Sequence, residues 1–85
     1  MQFSAAMKSL VESIVKPLAV YPDVVSIEMI ETDGKLTCQL LVHREDAGKI
    51  IGRNGRIAKA IRKVMEASAP DMKVYLDIKK WEGTE

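Results

Sequence analysis

Cysteine and histidine occur once each, as Cys38 and His43, and the aromatic side chains are only Phe3, Tyr21, Tyr75 and Trp81. A single thiol excludes an intrachain disulfide and any multi-cysteine metal site. Within an apolar, strand-like run it is expected to act as a small buried hydrophobe. A single histidine leaves little for a histidine-based metal centre or a Ser/His or Cys/His device, and its place at a strand-to-helix junction suits a local hydrogen bond. So few rings argue for an aliphatic core and against a platform that reads single strands by stacking bases. No run is long or apolar enough to cross a membrane. Nor does the N-terminal segment read as a signal peptide, because Lys8, Glu12 and Lys16 interrupt its apolar residues at helical spacing with no cationic stretch before them. The expected compartment is the cytoplasm, with no membrane attachment, and no cofactor is implied.

What is present is an 85-residue chain, 47% hydrophobic, with a formal net charge of +1. That length makes one domain with a modest core, since so small a chain buries only about three-fifths of its unfolded surface; self-association would add to it. Repeats and low-complexity linkers are absent. The charges balance overall but not locally: Lys49, Arg53, Arg56, Lys59, Arg62 and Lys63 fall in one stretch that holds no Asp or Glu. A positive stripe on an otherwise neutral chain is the footprint expected of a nucleic-acid-binding face, although a solvated helix surface shows the same pattern.

Hydrophobic periodicity orders the elements. Phe3, Met7, Leu10, Val11, Ile14, Val15 and Leu18 share one side of a helical wheel, with Ser4 as the expected N-cap and Pro17 and Pro22 closing the helix. Val25, Ile27 and Met29 alternate with Ser26 and Glu28; Leu36, Cys38, Leu40 and Val42 alternate with Thr37, Gln39 and Leu41; and the Asp33-Gly34 step between the two runs predicts a β-hairpin. His43 to Asp46 is expected to open a short helix, with Glu45 and Asp46 complementing its dipole. Ile57, Ala60, Ile61, Val64 and Met65 form the stripe of a further helix that stops near Pro70. Val74, Leu76 and Ile78 mark a third strand. The order is α-β-β-α-α-β: a hairpin, then a two-helix crossover that suits a parallel, right-handed strand pair. The expected fold class is α+β, a three-stranded mixed sheet covered on one face by three helices. A single domain is expected over residues 2–81, with fraying from Trp81 onward and a flexible tail at 82–85.

Between the two crossover helices stands Gly52-Arg53-Asn54-Gly55. Glycine reaches backbone regions that a side chain forbids, so Gly52 can end one helix and Gly55 can open the next. The first amides of that next helix, near Arg56 and Ile57, lack intrahelical partners at the positive end of its dipole, where a phosphate binds well. Lys49, Arg53 and Arg56 add charge. As a bare four-residue pattern this is also an ordinary helix–helix corner, and Asn54 could serve simply as a cap.

The stretch Ile50-Ile51-Gly52-Arg53-Asn54-Gly55-Arg56-Ile57 resembles the I-G-x-x-G core of KH domains, and the element order is that of the type II KH fold. Val15-Lys16-Pro17-Leu18, His43, Glu45-Asp46 and Gly55 to Ala60 are similar to the small single-domain bacterial KH proteins of the KhpA (YlqC) family. Nearly the whole chain takes part; Arg44 departs from the pattern, where proline is expected to begin the helix. The resemblance implies RNA binding without catalysis: a loop that holds the backbone of about four single-stranded nucleotides while their bases lie in an apolar groove. Carried onto this chain, Gly52, Arg53, Asn54 and Gly55 become the clamp, Lys49, Arg56 and Lys59 its supporting charges, and Ile50, Ile51 and Ile57 candidates for the groove wall or for plain core. It also implies a homodimer and a larger multidomain KH partner, KhpB-like, in RNA chaperoning or post-transcriptional regulation.

Two other function classes bear on the same residues. A dimerising protein–protein adaptor with a vestigial loop would use the methionines and the apolar stripe of the basic helix. An enzyme finds no support: the loop lacks the spacing and the Gly-Lys-Ser/Thr ending of a Walker motif, and Glu45 and Asp46 are better placed for capping than for acid/base chemistry. Single-stranded DNA competes with RNA as ligand, since no residue here is identifiable as a 2′-hydroxyl contact.

Overall fold

The computed structural model describes residues 2–82, with side chains from residue 5 onward. Helix α1 spans Gln2–Val15 and passes into a 3-10 turn at Lys16–Leu18, where Pro17 removes the amide that would continue the helix. Met7, Val11 and Val15 on its inner side are buried, while Leu10 stays 40% exposed, so the apolar stripe is narrower than the wheel suggests. Because the helix already includes Gln2, Ser4 lies inside it and not at its N-cap.

After a second 3-10 turn at Pro22–Val24, strand β1 (Ser26–Thr32) pairs antiparallel with β2 (Lys35–His43). The turn is Asp33-Gly34 with φ of 50° and 77°, the doubly left-handed geometry that Asp-Gly supplies. Helix α2 (Ala47–Ile51), a 3-10 turn (Arg53–Gly55) and helix α3 (Arg56–Ser68) then lead to β3 (Lys73–Trp81), parallel to β2, giving the sheet order β1-β2-β3.

Alternation fixes which side of the sheet is covered. Ile27 of β1, Leu36, Cys38, Leu40 and Val42 of β2 and Val74 of β3 form one buried cluster with Met7, Val11, Val15, Ile50, Ile61 and Met65 of the helices. The opposite face leaves Ile30, Tyr75 and Trp81 exposed. This is the mixed sheet with three helices on one face that the type II KH resemblance implies. One expectation is corrected at its edge: Trp81 pairs with His43 as the last residue of β3, so order extends through the point where fraying was expected. Of the tail expected at 82–85, residues 83–85 lie outside the described residues.

Candidate nucleic-acid interface

The loop between α2 and α3 is built almost wholly from positive φ. Gly52 ends α2 at φ 81°, ψ 166°, its N–H donating to the Gly48 carbonyl at 2.9 Å. Asn54 (φ 57°) and Gly55 (φ 72°) are left-handed, and the Gly55 N–H closes a tight turn onto the Gly52 carbonyl at 3.0 Å. A Cβ on Gly52 would stand 2.6 Å from Ile57 Cγ1 and 2.9 Å from the Ile57 amide nitrogen. The absence of that Cβ therefore lets the end of α2 seat directly on the first turn of α3.

Helix α3 begins at Arg56 with Gly55 as N-cap, and no side chain caps it. Asn54 is exposed and makes no cap hydrogen bond, so of its two candidate roles the capping one is not observed. The Arg56 N–H closes the 3-10 turn onto the Arg53 carbonyl, and the amides that follow it in the first turn of this thirteen-residue helix are left for solvent or a ligand. Around them Arg53, Arg56 and Lys59 are exposed, and among the described residues none has a carboxylate partner. Arg53, Asn54, Arg56, Lys59, Ala60 and Lys63 line a depression of about 370 Å³.

The remaining candidates separate by burial. Ile50 is fully enclosed in the core; Ile51, one residue on, is 40% exposed, and Ile57 is partly buried against the core. Lys49 stands half-exposed on α2, its Nζ 3.9 Å from Asp46 Oδ1.

Asp46 itself corrects the sequence reading. It does not sit in the first turn of α2, which starts at Ala47, and its carboxylate caps nothing there. Its side chain is wholly buried, with Oδ1 accepting the Val20 N–H at 3.0 Å and Oδ2 the Tyr21 N–H at 2.9 Å. Burial alone would push the carboxyl up, but the two backbone donors, with Lys49 and His43 adding positive field, outweigh it and hold the group below its ordinary value of 3.8. Asp46 thus ties the segment after α1 to the start of the helix that carries the loop. No local pattern could announce this, since the partners lie 25 and 26 residues away.

His43 makes the expected local hydrogen bond, its Nδ1 accepting the Glu45 N–H at 3.0 Å. Its ring also stacks on Tyr21 at 4.0 Å and meets Trp81 at 5.7 Å. At Arg44 the departure from proline has a structural correlate: its N–H donates to the Trp81 carbonyl at 3.2 Å, a bond proline cannot make. No group of three or more His, Cys, Asp or Glu among the described residues is arranged to hold a metal ion.

Comparison with known proteins agrees with this architecture. Residues 8–78 match the family model described as KhpA/KhpB, KH domain. A protein of Oceanobacillus iheyensis named RNA-binding protein KhpA is 51% identical over 74 residues, covering 85% of this chain and 99% of that relative. The protein of the same name from Listeria monocytogenes is 50% identical over 85% of this chain and 97% of its own length. That of Bacillus subtilis is 44% identical over 73% of this chain and 76% of its own. With a match across most of its length and an α-β-β-α-α-β order to go with it, the chain belongs to the KhpA/KhpB KH-domain family.

Proposed function

We propose that this chain is a non-enzymatic RNA-binding protein that grips about four single-stranded nucleotides through Gly52-Arg53-Asn54-Gly55. The observation that carries the reading is the loop itself: three of its residues at positive φ, the head of α3 without a side-chain cap behind it, and exposed cations beside it that have no carboxylate partner among the described residues. Phosphates sit against the α3 amides, with Arg53, Arg56, Lys59 and Lys49 adding charge. Bases rest on Ile51 and Ile57, and Ile50 supports that wall from the core. Such contacts position a backbone without reading sequence, so specificity is low.

One domain making roughly three to five phosphate contacts has a log–log salt slope of about −2 to −3.5 and modest affinity. Avidity then comes from pairing, as a homodimer or with a KhpB-like multidomain KH protein, in RNA chaperoning or post-transcriptional regulation in the cytoplasm. The names of the relatives favour RNA over single-stranded DNA. The adaptor reading loses part of its support, because Ile61 and Met65 of the α3 stripe are fully buried, while Ile57 and Val64 are half-buried and Ala60 is exposed.

The test is the double variant Arg53→Asp/Asn54→Asp, which sets two carboxylates where phosphates would sit. Asparagine and aspartate both tolerate the left-handed region, so the loop keeps its shape. Crosslinking in cells followed by sequencing is expected to recover RNA with the parent protein and none above background with the variant. Equal recovery from a folded variant refutes the clamp.

A further inference from the structure

The depression at the loop does not lead toward the sheet; no residue of β3 lines it. It opens along the outer face of α3, where a second depression of about 250 Å³, lined by Lys59, Arg62, Lys63 and Glu66, shares Lys59 and Lys63 with it. Arg56, Lys59 and Lys63 recur at spacings of three and four, so they stand in one row on the helix, about 10 Å long at 1.5 Å per residue. Exposed Ala60 lies within the row and contributes only a methyl group to its floor. At the far end Arg62 Nη2 is 4.0 Å from Glu66 Oε2, and that carboxylate closes the run of cations. Among the described residues, Arg56, Lys59 and Lys63 have no carboxylate within ion-pair distance. Like charges at this spacing repel and weaken a helix, so the row is unfavourable to α3 unless a polyanion lies along it.

The geometry points to a second phosphate track: RNA leaving the loop continues along the outer face of α3 over Arg56, Lys59 and Lys63, with Lys63 a contact residue beyond the four-nucleotide grip. The track rests on the loop being an RNA clamp and extends it. An acidic protein segment would match the same charge, but the channel begins at the loop. Phosphates tethered to a gripped RNA reach it at high effective concentration, which favours the nucleic acid.

The test compares an unstructured tetranucleotide with a decanucleotide by fluorescence anisotropy across a salt series. The native protein binds the longer RNA several-fold more tightly, with a slope steeper by about 0.7 for each added phosphate contact. Lys63→Glu and Lys63→Gln, both at an exposed site, lower decanucleotide affinity several-fold more than tetranucleotide affinity and make the decanucleotide slope shallower; Lys63→Arg restores it. Unchanged decanucleotide binding in both charge variants overturns the track. So does a shift in their oligomeric state by sedimentation without loss of length dependence, which would make this face a protein contact. The clamp is judged separately: it fails if Arg53→Asp/Asn54→Asp still binds the tetranucleotide, whatever Lys63 does.

Discussion

At the residue scale the glycines divide by what a methyl group would meet. Gly52 combines φ 81°, ψ 166°, a region nearly closed to other residues, with an Ile57 contact of 2.6 Å for any added Cβ. Gly52→Ala is therefore expected to destabilise by about 3 kcal/mol, the sum of backbone strain and overpacking. Gly55 (φ 72°) has only Lys59 Cε nearby, at 4.0 Å, so Gly55→Ala meets left-handed strain alone, about 1 kcal/mol. Gly48 lies inside α2 with open space around its Cα, and Gly48→Ala should stabilise by up to about 1 kcal/mol. Urea titrations of the three variants check that order, and a Gly52→Ala as mild as Gly55→Ala would refute the close seating of α2 on α3. Cys38 makes a second residue-level case. Burial pushes its thiol from 9.0 up to about 11, so near pH 8 it should resist alkylation until the protein unfolds. The folded state keeps this proton after the unfolded chain begins to lose it, so stability falls as pH rises from 9.0 toward about 11.

At the element scale, α2 is five residues long and too short to hold its own orientation. Three attachments supply it: Ala47 and Ile50 in the core, the seat on Ile57, and the Asp46 carboxylate bound to the Val20 and Tyr21 amides. Asp46→Asn keeps the size but leaves one oxygen acceptor for two amides. It should lower Tm by several degrees and weaken RNA binding through a looser loop. The pH profile separates charge from packing. Because the folded-state carboxyl lies below 3.8, its stabilisation is complete above that value and is lost as pH falls through the lower folded value. Thermal melts should show this acid limb in the parent protein and a reduced one in Asp46→Asn; an identical limb in both would remove Asp46 as its source.

At the scale of the whole molecule, a net charge of +1 conceals a local concentration of cations. The loop and α3 place Arg53, Arg56, Lys59 and Lys63 on one surface, whereas Lys16, Arg44 and Arg62 are engaged with Glu12, Glu82 and Glu66. Binding governed by that face should depend steeply on salt even though the protein as a whole is near neutrality. A ligand that binds only the folded state also stabilises it: saturating single-stranded RNA at about 100 times Kd adds roughly 2.7 kcal/mol. Scanning calorimetry should show the Tm rise with the parent protein and none with Arg53→Asp/Asn54→Asp. A rise in both would place the RNA elsewhere on the surface.

Local chemistry carried most of the fold. Asp33-Gly34 dictates a left-handed two-residue turn, period-two alternation assigns each strand a buried and an open face, and Pro17 stops α1, all through interactions within a few residues. The loop was legible for the same reason, since its glycines and the absence of acids around them are local facts. Tertiary structure decided what depends on distant partners. It turned the carboxylate of Asp46, the N-cap residue of α2, onto the Val20 and Tyr21 amides and away from the helix's own, extended β3 to Trp81 through its pairing with His43, and sent Ile50 to the core while leaving Ile51 outside. It also left Arg56, Lys59 and Lys63 beside the loop with no carboxylate partner among the described residues, while Arg62 turned to Glu66. Periodicity can place a charge on a helix face, but whether that charge is already neutralised depends on which carboxylates the folded chain brings within reach.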